Sequence, residues 1–343
     1  SKGLERKGFY VAPIRPPSVP PNSSRLRISI SSCHSQDNII KELYIQSKIY
    51  DHIRDLEQIL DVQNLCELHN IPYYFFYGYP FDGTACFRKG ASKAPDEIRK
   101  HSYNFETYLM ELGIDLCDVS ANDWGNLKIT KNQDKNEKSL TELVSKIVDV
   151  SKFPIGIGGE HSLTPAAVQA VHSKYPNLSV VILDAHLDFR HEYEGNPKSH
   201  ATVTRRVSEI VGLDNVRSIG IRSVSQSEMS EARAIGLKFI ESGWTELREY
   251  LGDVIDELDG PVYLSLDMDA IDPAFAPGVG TPEPFGMTPY EVLQTINFFA
   301  DRIVGFDCVE VCPKYDNGNT SALAARIIRH LVGAVWQSQE RFK

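Results

Sequence analysis

Three short clusters hold side chains that bind cations. Glu160 and His161 stand in GGEHS (Gly158–Ser162), Asp184, His186 and Asp188 in DAHLD, and Asp267, Asp269 and Asp272 in DMDAID. Carboxylate and imidazole without thiolate form a hard-to-intermediate ligand set. It suits Mn2+ better than a structural Zn2+, although the general order of affinities lets other divalent ions bind. Taken singly, these residues have ordinary explanations: an Asp after a strand commonly closes a turn or caps a helix. Taken together they are too ordered for that, because four or five carboxylates converging on one crevice repel one another unless cations neutralise them. His161, Asp184, His186, Asp188, Asp267 and Asp269 are more ligands than one ion with an open position needs, whereas two ions sharing aspartates use all six.

The elements that must position these clusters are legible in the hydrophobic pattern. Each cluster begins where an apolar run stops: Pro154–Ile157, Ser179–Leu183 and Pro261–Leu266 read as strands, as do Tyr73–Tyr77, Val216–Ile221 and Ile303–Phe306. Helical periodicity occupies 139–150, 164–174, 202–211, 226–235, 289–300 and 321–336. Such alternation predicts an α/β fold, three layers with a mostly parallel sheet between helices. Ligand sites in these sheets lie beyond the carboxyl ends of the strands, where all three clusters fall. Thr130–Lys138 is polar and turn-rich and reads as a surface loop.

The composition narrows the function classes. In 343 residues, Lys+Arg 36 against Asp+Glu 46 gives a net charge of −10, which argues against a general binder of nucleic acid or of anionic membrane. No apolar run approaches the ~20 residues that span a bilayer. The six cysteines are scattered without a C-x-x-C pair and read as reduced thiols of a cytoplasmic protein, with Cys308 and Cys312 in the core. Residues 1–45 differ from the rest. They carry a Pro-rich stretch from Pro13 to Pro21, an alternating strand-like run from Arg25 to Ser31, and seven basic against three acidic residues, so this segment holds +4 and the remainder −14. Residues 46–70 follow as a helical connector, and 71–343 as the catalytic domain.

The chain resembles the ureohydrolase (arginase/agmatinase) family from about Tyr77 to His330. The resemblance rests on YPFDGTACFRKGASKAPDEIRKHS (Tyr79–Ser102), GIGGEHS, DAHLD, SHAT, GIR (Gly220–Arg222), SLDMDAIDPAFAPGVGTPEPFG and FDCVEVCPKYD (Phe306–Asp316), in the family's order. It implies a sheet of about eight strands and two Mn2+ per chain. One ion would lie between His161, Asp184, Asp188 and Asp267, the other between Asp184, His186, Asp267 and Asp269, with Asp184 and Asp267 bridging. It further implies hydrolysis of a guanidino group to urea and an amine. In that chemistry Asp188 and His200 handle protons, Glu283 grips the guanidinium, and the subunits form trimers or hexamers. Two departures stand out. Glu160 replaces the Asp of many relatives, a change expected to matter little, and DWGN (Asp123–Asn126) departs from a D-x-G-D pattern. Separately, residues 1–45 resemble the C-terminal end of the α-oxoamine synthases, without any of their catalytic apparatus; a coincidental Pro-rich arm is the alternative.

Substrate choice rests on the loop FRHEYEGNPKSHAT (Phe189–Thr202), which lacks the Asn expected of an arginine site and resembles agmatinases. Glu192 and Glu194 would attract a free ammonium, whereas an inward Arg190 would welcome a carboxylate. Agmatine is the expected substrate, yielding putrescine and urea. Aminopropylagmatine, guanidinobutyrate, arginine, guanidine and an inactive metal-binding relative remain alternatives; intact His200 and Glu283 argue against the last.

Overall fold

Neighbouring residues of one strand feed two different cores, which is why the strands read as unbroken apolar runs rather than as alternations. In the computed structural model the described residues are 73–241 and 257–340, together with two short strands ahead of them, Ala12–Ile14 (β1) and Arg25–Arg27 (β2), paired antiparallel. β2 is the start of the expected alternating strand. The rest of residues 1–45 and the expected connector over 46–70 lie outside the described residues.

The central sheet has eight strands: β3 (Tyr73–Tyr79), β6 (Ser120–Asn126), β7 (Phe153–Gly158), β8 (Ser179–Leu183), β9 (Val216–Ile221), β10 (Phe239–Glu241), β11 (Val262–Asp267) and β12 (Ile303–Val309). Their order is β10-β9-β8-β11-β12-β7-β3-β6, every pair parallel. A small antiparallel pair, β4 (Tyr108–Leu109) with β5 (Ile114–Asp115), stands apart from it. Helices α1 (Ala94–Ser102), α6 (Pro289–Phe299) and α7 (Asn319–Glu340) cover one face, and α2 (Gln133–Asp149), α3 (Thr164–Lys174) and α4 (Val203–Val211) cover the other. α5 (Gln226–Ile235) follows β9. Tyr74, Phe76, Val181 and Leu183 point into the first core, and Phe75, Tyr77, Val180 and Ile182 into the second. The result is the expected three-layer architecture. From β8 the chain runs outward to β9 and β10, then returns to β11 and continues to β12 on the other side. The strand order thus reverses between β8 and β11, the crevice where open α/β sheets bind ligands. Among the described residues no helix is long and apolar enough to cross a membrane.

Some elements differ from the sequence expectation, each for a local reason. The stretch read as a loop over Thr130–Lys138 contains the start of α2. The Asn132 side chain caps it by accepting the Lys135 N–H at 2.9 Å, and the first buried position of the helical stripe is the polar Asn136, bonded to Thr130. β6 and β10 are the sheet edges, where polar sequence is tolerated and the apolar signal fades. α1 follows Gly90 and Ser92 and carries Pro95 in its first turn, punctuation that reads as loop although Pro is well placed there.

The paired glycines before His161 have a steric origin. Gly159 donates its N–H to Tyr79 O at 2.8 Å and Glu160 to Phe81 O at 2.8 Å, pressing this turn against the loop after β3. A Cβ on Gly159 would lie 2.0 Å from Phe81 O and 2.8 Å from Phe81 N, backbone atoms that cannot swing aside. Gly159→Ala is therefore expected to destabilise the fold by about 2–3 kcal/mol through overpacking. Chemical denaturation would measure it, and an unchanged midpoint would show that this contact yields.

Candidate metal centre

The two aspartate motifs share one local device. Asp184 Oδ1 accepts the N–H of His186 at 2.6 Å, and Asp267 Oδ1 accepts the N–H of Asp269 at 2.8 Å. Each strand thus ends in an Asx turn that aims the side chain two residues on into the crevice. Cross-links hold the two turns together: Asp269 Oδ1 accepts the Ala185 N–H at 3.1 Å, and its Oδ2 accepts the Thr281 hydroxyl at 3.1 Å. Arg222 clips the surrounding loops by donating to Asp269 O at 2.6 Å and to Glu283 O at 2.7 Å. The chain beyond β8 does not continue as an extended strand. Ala185 and Leu187 do face the interior, but Asp188 has a left-handed backbone, φ 49°, which turns its carboxylate back toward His161. A non-glycine residue there is strained, an outlier of the kind that clusters at functional sites.

Six expected ligands converge. His161 Nδ1 lies 3.1 Å from Asp184 Oδ2, 3.3 Å from Asp267 Oδ2 and 3.6 Å from Asp188 Oδ2. His186 Nδ1 lies 3.0 Å from Asp269 Oδ2 and 3.6 Å from Asp184 Oδ1. Two overlapping sets result, His161–Asp184–Asp188 and Asp184–His186–Asp269, joined through the two oxygens of Asp184. Asp267 stands on the His161 side with one oxygen, while its other oxygen takes the Asp269 N–H. His161 Nδ1 and Asp184 Oδ2 are buried and make no hydrogen bond, two orphaned polar atoms aimed at one space. A buried acceptor pair left this way is costly, and divalent cations would satisfy it; the residues fit the implied pair of ions. His161 is also braced from behind. Its Nε2 meets Ser265 Oγ at 3.0 Å, and Ser265 donates to Asp307 at 2.6 Å, the orientation that histidine ligands usually receive.

The electrostatics agree. Burial, and then the negative charge of Asp184, push Asp188 up to about 7. Burial followed by Asp269 and Asp184 raises Asp267 well above the usual carboxylate range. Burial alone would disfavour protonated His186, but Asp269 and Asp184 overcome it and raise its pKa.

Above the ligands opens a cavity of about 350 Å³ whose lining includes His161, His186, Asp188, Asp267 and Asp269. His200 lines it as expected; burial first, and then the positive charges of His161 and His186, lower its pKa to about 4, so the ring is neutral at pH 7. Arg190 also lines it but lies 3.6 Å from Glu228 and over the ring of Tyr193 at 5.1 Å. Glu192 is exposed and outside the lining. Glu283 is outside it too, with its carboxylate 3.7 Å from His186 Nε2 and its carbonyl engaged by Arg222. Asp272 serves the loop rather than the centre, accepting the N–H groups of Ala274 and Gly286.

The sequence reading passed over two buried carboxylates in the cavity wall, Glu310 and Glu228. Glu310 follows β12 in a left-handed conformation, φ 64°, and accepts the His161 N–H at 2.8 Å; burial and then Glu160 raise its pKa to about 8. Glu228 accepts the Phe189 N–H at 2.7 Å. The available signal for Glu310 was its place just past a strand, within the recognised FDCVEVCPKYD.

Known proteins match most of this chain. A profile described as the arginase family matches residues 73–333. An agmatinase of Bacillus anthracis is 38% identical over 262 residues, 75% of this chain and 89% of the relative. An N(1)-aminopropylagmatine ureohydrolase of Thermococcus kodakarensis is 34% identical over 273 residues, 76% of this chain and 90% of the relative. Among solved structures, the agmatine ureohydrolase of Thermoplasma volcanium superposes with a TM-score of 0.75 at 39% identity, covering 79% of this chain and 92% of that one.

Cation binding must expel the proton that Asp188 holds up to about pH 7. Affinity for divalent cations is therefore expected to rise at least tenfold from about pH 6 to about pH 8, since Asp267 and His186, also raised, add to the protons released. Calorimetric titration in buffers of different ionisation enthalpy would also count the released protons; an affinity independent of pH would remove Asp188 from the ligand set.

Proposed function

Because the chain belongs to the arginase family, we propose that this ureohydrolase cleaves agmatine to putrescine and urea, using two Mn2+ ions held by His161, Asp184, His186, Asp188, Asp267 and Asp269. One observation carries the reading: the cavity beside the orphaned Asp184–His161 pair also has two buried carboxylates in its wall, Glu310 and Glu228. A substrate cationic at both ends suits such a wall.

Two divalent ions bound there would supply a water-derived nucleophile at neutral pH and balance the carboxylate charge. The remaining work falls to the chain. Glu310, raised by burial, gains most from a guanidinium beside it and orients that group through charge-assisted hydrogen bonds. This reading gives Glu310 the role expected of Glu283. His200, neutral at pH 7, takes up a proton and returns it to the amine, which leaves only when protonated. Asp188 assists that transfer from the ligand cluster. Glu228, rather than Glu192, meets the distal ammonium. A second reading draws on Arg190, whose guanidinium in the cavity wall would favour a carboxylate tail such as that of guanidinobutyrate. Its approach to Glu228 favours the diamine product instead.

Urea release by Mn2+-loaded protein would be measured across agmatine, aminopropylagmatine, arginine, guanidinobutyrate and guanidine. Agmatine is expected to give the highest kcat/KM. No urea from any of them would sink the enzyme reading, and a preference for guanidinobutyrate would move the choice to the second one. Glu310→Gln is expected to lower kcat/KM for agmatine about 100-fold, the equivalent of a lost charge-assisted contact, and Glu283→Gln less than about fivefold. The reverse ranking would return the guanidinium to Glu283.

A further inference from the structure

His200 is neutral in this cavity, so its two ring nitrogens differ, and the one carrying hydrogen decides which can take up a proton. The contacts below the ring answer this by counting donors. Glu160 is fully buried and accepts three hydrogen bonds, from Thr84 N–H at 2.8 Å, Thr84 Oγ1 at 2.6 Å and Ser162 Oγ at 2.7 Å. A hydroxyl has one proton, and Thr84 gives its proton to Glu160. Toward His200 it can therefore only accept. It does so from the His200 backbone N–H at 3.0 Å, and its contact with His200 Nδ1 at 3.1 Å requires hydrogen on Nδ1. The opposite nitrogen, Nε2, lies 3.5 Å from Cys86 Sγ, a weak donor in the cavity lining. Among the described residues, the one competing donor is Ser199 Oγ, 3.3 Å from Nδ1, itself accepting the Ala201 N–H at 3.4 Å.

We propose that Glu160 and Thr84 are positioning residues that fix His200 in the Nδ1–H tautomer, leaving the Nε2 lone pair to receive a proton from the cavity. The inference rests on the role given to His200 above. It makes the Glu160 replacement consequential, because that side chain spans from the GGEHS turn to both polar groups of Thr84.

Glu160→Gln gives a sharp test, because the Thr84 N–H cannot accept. The amide oxygen must face that N–H, which turns the amide NH2 toward Thr84 Oγ1. The hydroxyl is then released to donate to His200 Nδ1, and the imidazole proton moves to Nε2. Nitrogen-15 NMR of the histidine rings in metal-free protein at neutral pH is expected to show Nδ1–H for His200 in the wild type and Nε2–H in Glu160→Gln. In the Mn2+-loaded enzyme Glu160→Gln is expected to lower kcat on the order of 100-fold, as for a misdirected proton carrier, with KM within about twofold. Thr84→Val should lower kcat in the same way, and Thr84→Ser, which keeps the hydroxyl, should restore it. An Nε2–H ring in the wild type would overturn the proposal, and so would full kcat in Thr84→Val. The tautomer is read without metal or substrate, so this inference fails or holds apart from the urea assay that tests the function itself.

Discussion

Buried carboxylates at the ends of neighbouring parallel strands repel one another, and most of the local architecture of this protein holds them in place against that repulsion. Asp184, Asp188, Asp267 and Asp269 lie within one crevice, shielded from the water that would otherwise screen them. Their Asx turns, the link from Asp269 to the Ala185 N–H and the clip of Arg222 are all backbone-anchored, so the side chains cannot swing apart to relieve the strain. Burial and mutual repulsion raise Asp188 and Asp267 above the usual carboxylate range, the effect that nearby positive charge would reverse.

Rigid surroundings follow from the same demand. β8 and β11 are interior strands with continuous apolar runs, so the positions just past them are set by two cores at once. The strand order reverses between them, which opens a crevice without breaking the sheet. Gly159 brings the third strand end close enough for His161 to face the aspartates, and Ser265 with Asp307 braces the ring from behind. The positive φ values at Asp188 and Glu310 show backbone strain at the centre. It is borne where the packing leaves no alternative.

Two charge environments meet across the cavity. On one side the ligand cluster is crowded with negative charge. On the other, His200 is neutral because burial and nearby positive charge oppose its protonation. The proposed reaction would use this contrast, since the group that receives a proton must start without one.

The sequence by itself brought out the six candidate ligands, the parallel three-layer fold and the family, because each is written locally: a candidate ligand ends its own strand or follows it within five residues, and strand residues pack by periodicity. His200 was singled out through the resemblance of SHAT, not through a strand end or a periodicity. Glu310, Glu228 and the Thr84–Glu160 pair were not legible. Glu310 meets His161 149 residues away, and Thr84 meets His200 116 residues away. Such contacts depend on which strand ends lie side by side, information that no local spacing carries. Glu283 shows the converse: its motif was legible, yet its carboxylate lies outside the cavity lining while its carbonyl anchors Arg222. At Asp188 the backbone turns left-handed, a conformation imposed by the partners its side chain reaches. Tertiary structure decided which groups beyond the ligands face the cavity, because a side chain's direction is fixed by its neighbours across the sheet and not by those along the chain.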